Sequence, residues 1–158
     1  GKCSMGWFFG FKLHLICNEC GELLNFMITP GDVDDRKPLE YKAFVNLIYG
    51  KLVGDKGYIS KGLFERLFVD VIQLITKLKS NMKGALMSVS DKLLLRKRAI
   101  IETVNDELKN IAQVEHSRPR SFENFVVNVL GPLAAYCKFP KKPCINVERT
   151  IDTQITLF

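Results

Sequence analysis

The sequence predicts a mixed α/β domain in which a sheet led by a hairpin carries packed helices. Three observations predict it. Apolar residues alternate with period 2 over residues 7–17, two short apolar runs at 51–54 and 71–76 are bounded by turn residues, and helical apolar spacing runs through residues 91–114.

The first strand rests on Trp7, Phe9, Phe11, Leu13, Leu15 and Cys17, apolar at every odd position, with Gly10, Lys12, His14 and Asn18 between them. That alternation describes a half-buried strand. Asn18-Glu19-Cys20-Gly21 is turn chemistry, and residues 23–29 read as a second strand, which completes a hairpin. Pro30-Gly31 ends it, and residues 32–37 form a polar connector. Pro38 can open a helix over residues 39–49, with Phe44, Leu47 and Ile48 on one side and Gly50 as its stop. Residues 51–54 form a short buried strand that runs into Asp55. Ser60 can cap a helix carrying Leu63, Phe64, Leu67 and Phe68, and residues 71–76 form another buried strand. Residues 79–91 are irregular. A long helix is expected over residues 91–114, with Leu94, Ile101, Val104, Leu108 and Ile111 on one face. A last amphipathic helix, 122–137, holds Gly131-Pro132, which can kink it. Residues 1–137 thus read as the domain. Residues 138–158, polar and with two prolines, read as a C-terminal tail.

A chain of 158 residues, 47% apolar and 25% charged, is one globular domain with a real core. No apolar run reaches the ~18 residues a membrane span needs, so no membrane partner is expected. The first residues carry no signal-peptide pattern and no initiator Met, so residue 1 reads as an internal point of a longer reading frame or as the boundary of an expressed piece. Five cysteines, an odd and sparse set, fit a reduced cytoplasm. The net charge is +6, and residues 76–120 hold ten Lys/Arg against five Asp/Glu. Such a segment suits a polyanion such as DNA. It can equally be a solvated basic face.

Two acidic residues stand out. Asp55 follows a short apolar strand, and α/β folds place their sites at strand C-terminal ends. It can also be a plain turn aspartate. Glu102 lies on the long helix, where Arg98, Glu102 and Lys109 fall within about 40° of one another at 100° per residue. That row can be an ion pair worth a few tenths of a kcal/mol. It can also be a metal-binding carboxylate between two phosphate-contacting cations, since Mg²⁺ takes one or two carboxylates plus phosphate oxygens.

Taken together, the motifs resemble the DDE-type transposases of bacterial insertion sequences. Residues 7–14, WFFGFKLH, resemble that family's strand motif. Gly54-Asp55-Lys56-Gly57-Tyr58 resembles the segment of its second catalytic aspartate. Arg98-x3-Glu102-x6-Lys109 matches the signature around its third acidic residue, with Leu95 where the family has tyrosine. The resemblance spans roughly residues 6–137. It implies a ribonuclease H-like mixed sheet with flanking helices, here missing its first strand, which carries the first catalytic aspartate and is central in the sheet. It implies metal-dependent DNA cleavage and strand transfer, with Asp55 and Glu102 holding Mg²⁺ or Mn²⁺ beside an aspartate outside this chain. Taken alone, the chain should then be inactive and modestly stable. Element-end and target DNA are the implied partners, the active complex is a homo-oligomer, and the setting is a bacterial cytoplasm, associated with the nucleoid.

DNA contacts are expected from Lys12, His14, Lys56, Arg98 and Lys109, and from the basic turn of His116, Arg118 and Arg120, because phosphate contacts need only charge and reach. Lys12 and His14 belong to the polar side of the first strand and can equally be its solvent face. Asp32, Asp34 and Asp35 read as a solvated connector. Cys17-x-x-Cys20 has metal-ligand spacing that Cys137 and Cys144 do not repeat, so it reads as two thiols at a hairpin turn. Two other readings stay open: a decayed fragment that only binds DNA non-specifically, and a different ribonuclease H-like nuclease.

Overall fold

The computed structural model describes residues 2–3, 6–7, 10–76, 89–96, 99–112, 121–144 and 155–157. A two-stranded ribbon, β1 (Lys2–Cys3) with β2 (Gly6–Trp7), precedes a five-stranded sheet. That sheet contains β3 (Phe11–Asn18), β4 (Leu23–Pro30), β5 (Gly50–Gly54), β6 (Ile72–Thr76) and β7 (Ile155–Leu157) in the order β4-β3-β7-β5-β6. The helices are α1 (Lys42–Val45), α2 (Lys61–Val69), α3 (Val89–Arg96), α4 (Ala99–Asn110) and α5 (Phe122–Cys137).

β3 and β4 form the expected antiparallel hairpin, from Phe11↔Pro30 to Cys17↔Leu23. Asn18 closes it. Its side-chain oxygen accepts from the backbone N–H groups of Cys20 and Glu22, both at 3.0 Å, and Gly21 takes a φ of 67°, where a side chain would be strained. β5 and β6 pair in parallel and are connected through α2.

Helices cover both faces of the sheet. Leu15, Cys17, Val53, Ile75 and Leu157 pack with Leu94, Leu95, Val104, Leu108, Val129, Leu133 and Tyr136 of α3–α5. Ile16, Leu52 and Ile72 pack with Phe44, Val45, Leu63 and Leu67 of α1 and α2. Neighbouring residues of one strand therefore enter opposite cores, as the pleat dictates. This is why Leu52 and Val53, consecutive residues of β5, are both apolar. It also corrects the half-buried reading of β3, in which His14, Leu15, Ile16, Cys17 and Asn18 are all buried.

Three helical expectations change. Residues 39–49 are not one helix: a 3₁₀ turn, Lys37–Glu40, is separated from α1 by Tyr41 in an extended conformation. Leu47 falls beyond α1, loses the helical phase and is 55% exposed. Of the helix expected over 91–114, α3 and α4 are described, while residues 97–98 and 113–114 lie outside the described residues; Ile111, past the end of α4, is exposed and not part of the core face. Ser60 occupies the position before α2, but its side chain makes no capping hydrogen bond. α5 has the expected bounds, and its cap is Ser121, whose Oγ accepts from the Asn124 N–H at 3.3 Å. The irregular stretch at 79–91 lies mostly outside the described residues.

Residues 138–158 are not all peripheral. Ile155–Leu157 lies between β3 and β5, antiparallel to the first and parallel to the second. β7 thus stands at the sheet centre, where the resemblance puts a strand from elsewhere. Its pairing with β3 involves only Cys17 and Asn18. Further along that edge, no described strand pairs with residues 11–16.

Candidate active site

β5 ends at Gly54, and Asp55 is the next residue, exposed at the C-terminal end of a parallel strand. Its carbonyl accepts from the Tyr58 N–H at 3.1 Å, closing the 3₁₀ turn Lys56–Tyr58. α4 reaches the same place from the other side. Ile101, Val104 and Leu108 anchor its buried face, and Glu102 projects from the flank, exposed. A partly buried ion pair, Lys51 Nζ to Asp91 at 2.8 Å, fastens α3 to β5. Asp55 and Glu102 line one cavity of about 780 Å³, together with Lys12, residues 32–36, Gly57, Tyr58, Ile59, Ile101 and Asn105. Two acidic residues far apart in the chain are brought together by the sheet and one helix.

The connector between β4 and α1 is solvated as expected, with Asp32, Asp34 and Asp35 all exposed, and it also borders this cavity. Asp35 takes an ion pair from Lys12 Nζ at 2.8 Å, and the same ammonium donates to the Val33 carbonyl at 2.8 Å. Arg36 grips both oxygens of Asp34, at 2.9 and 2.6 Å, and so holds the Asp34 carboxyl well below the usual carboxylate range. Burial, then Asp35, Asp55 and Asp34, push the Tyr58 hydroxyl up to about 12. It keeps its proton at neutral pH and can donate a hydrogen bond. Asn105 and Tyr58 were not singled out from sequence as site residues. The signal for Asn105 was present: positions 102, 105 and 109 share one helix face.

A second cavity, of about 550 Å³, adjoins the first and shares Lys12, Asp35, Tyr58 and Asn105 with it. Five consecutive residues of β3, 11–15, line it, with Leu108, Lys109, Phe125 and Val129 opposite. Side chains on a strand alternate between faces, so consecutive lining residues place this cavity along the strand edge.

His14 is 7% exposed, not on a solvent face, and its Nε2 lies 2.8 Å from Thr29 Oγ1. Burial lowers its pKa, with Asp35 opposing and Lys12 assisting. A neutral imidazole supplies no cation to a phosphate. Lys109 is exposed on α4 beside the strand-edge cavity. Arg98, His116, Arg118 and Arg120 lie outside the described residues, as does the side chain of Lys56. Cys17 is buried in the core, which pushes its thiol up to about 12, and it does not share a site with Cys20. Among the described residues, no group of three or more His, Cys, Asp or Glu side chains is arranged to hold a metal ion. No described helix is long and apolar enough to cross a membrane.

A mixed sheet sandwiched by helices, with one carboxylate at the end of an interior strand and another on the covering helix, is a ribonuclease H-like α/β domain. The family described as Transposase DDE domain matches residues 1–122, and the chain belongs to it. Searches of curated proteins and of solved structures give no match.

Proposed function

We propose that this chain is part of the catalytic domain of a bacterial insertion-sequence transposase, cutting element-end DNA and joining it to a target. The observation that carries this reading is the convergence of Asp55 and Glu102 on one open cavity. Both are hard oxygen donors, exposed and close to cationic side chains, and so fit Mg²⁺ or Mn²⁺ shared with phosphate oxygens. A cation bound there supplies the charge that activates a hydroxyl nucleophile and stabilises the leaving oxygen. Lys12, Lys56, Arg98 and Lys109 contact the DNA backbone, as do His116, Arg118 and Arg120. His14 supports the strand beside them. Tyr58, protonated, donates a hydrogen bond toward a phosphate oxygen.

The third carboxylate comes from outside these residues, on a strand that enters beside β3. The cavity along residues 11–15 supports this, because it follows an edge with no described partner strand.

In the complete reading frame, Asp55→Ala and Glu102→Ala should each cut element-end cleavage by on the order of 10²–10³-fold, the cost of deleting a group that stabilises developing charge. Unchanged cleavage in either would remove that residue from the site. The 158-residue chain with Mg²⁺ should give no cleavage, and robust metal-dependent nicking by it would defeat the third-carboxylate reading. Its DNA binding should fall steeply as salt rises.

A further inference from the structure

We infer that Cys20 and Cys144 form a dithiol–disulfide site that fastens the β3–β4 turn to the chain leading into β7. Their sulfurs lie 3.7 Å apart although 124 residues separate them in sequence. The approach does not depend on two loose side chains. Next to Cys20, a Cβ on Gly21 would stand 2.5 Å from the carbonyl oxygen of Pro143, the neighbour of Cys144, so the two backbones are in direct contact. The buried Tyr136 hydroxyl donates to the Gly21 carbonyl at 2.6 Å, tying the end of α5 to the same turn. Lys142 Nζ then donates to the Cys137 and Phe139 carbonyls, both at 3.1 Å, and sets the path of the loop that carries Cys144. Two thiols at this separation offer sulfur–sulfur bonding.

The oxidant is a low-molecular-weight disulfide. Cys144 is exposed and meets it first. Cys20 is half-buried and within reach of the Cys144 sulfur, so it takes the second step. The Cys144 thiolate attacks the oxidant, forms a mixed disulfide and expels one small thiol. The Cys20 thiolate then attacks the Cys144 sulfur and expels the second. Two protein thiols are oxidised by two electrons, the oxidant is reduced to two thiols, and these carry away the two protons.

The consequence is local. β7 meets β3 at Cys17 and Asn18, at the foot of the same turn. Fixing Cys144 beside Cys20 places a covalent anchor close in sequence to β7 and raises the effective concentration of β7 at the sheet. The inference is independent of the strand-transfer reading.

The test incubates the purified chain with oxidised glutathione, then alkylates it under denaturing conditions and measures mass and peptide map. Two of the five cysteines should escape alkylation, linked as Cys20–Cys144, with dithiothreitol restoring both. Cys20→Ser should instead retain a glutathione adduct on Cys144. Five alkylatable thiols after oxidation, a link through another cysteine, or the same stable adduct on Cys144 in wild type and Cys20→Ser would each overturn the site. Amide exchange at Ile155–Leu157 should be slower in the oxidised than in the reduced wild type, a comparison that needs no variant. Equal rates would overturn the fastening of β7.

Discussion

At its C-terminal end β3 is paired on both sides, by β4 and β7, and buried against helices on both faces. Toward its N-terminus the same strand is paired by β4 alone, and its other edge opens into a cavity that joins the Asp55–Glu102 pocket. The first region buries Ile16, Cys17 and Leu15; the second presents Lys12 and a half-buried Leu13. Stability should therefore reside in the first region and ligand access in the second, within one eight-residue strand.

The largest effect should expose that division. Ile16 is fully buried in the α1–α2 core, and Ile16→Ala should cost about 2–5 kcal/mol through lost transfer energy and the cavity left behind. Lys12→Ala, four residues away, removes a partly exposed ion pair and should cost no more than about 1 kcal/mol. Urea denaturation of both variants checks the contrast. Equal losses would mean that the two ends of β3 do not differ as described.

A smaller effect should sharpen the anchoring of the paired end. Tyr136→Phe removes the hydroxyl that donates to the Gly21 carbonyl and leaves that oxygen buried without its partner. The cost should be about 1–3 kcal/mol. The same melts measure it. A neutral substitution would show that the turn at the base of β3 is held by other contacts.

Much of this division was legible in the sequence, and the reasons it was not wholly so are physical. The hairpin, α2, α5 and the β5–Asp55 junction follow from local periodicity and turn chemistry, which act over a few residues. The Leu94, Val104 and Leu108 stripe follows from helical spacing, and it fails at Ile111 because the helix stops first. The long-range features were hidden. Nothing local marks Ile155–Leu157 as the centre of a sheet, because three residues carry no periodicity and their partners lie more than 100 residues away. Asp34 and Asp35 looked like connector residues because their placement beside Asp55 depends on Lys12 and Arg36 holding the loop. The burial of His14 was missed because alternation assigns one face of a strand to solvent, and here α1 and α2 cover that face.

His14 provides the finest discrimination, since it stands where the buried part of β3 meets the open part. Burial lowers its pKa, with Lys12 assisting and Asp35 opposing, while Thr29 Oγ1 is its hydrogen-bond neighbour. A histidine whose folded pKa lies below its unfolded value of about 6.5 binds its proton more readily in the unfolded chain. Its contribution is fully present above that value and is lost as the pH falls from it toward the folded pKa. The wild type should therefore lose stability between pH 7 and pH 5.5, approximate bounds set around that unfolded value. His14→Gln keeps a group able to meet Thr29 but does not titrate, so its urea midpoint should vary less over the same window. Carboxylates titrate mainly below it, which leaves the difference between the two proteins to His14. Parallel pH profiles would mean that the imidazole ionises in the folded chain as readily as in water, and that the cavity edge reaches solvent one residue further along β3 than its burial indicates.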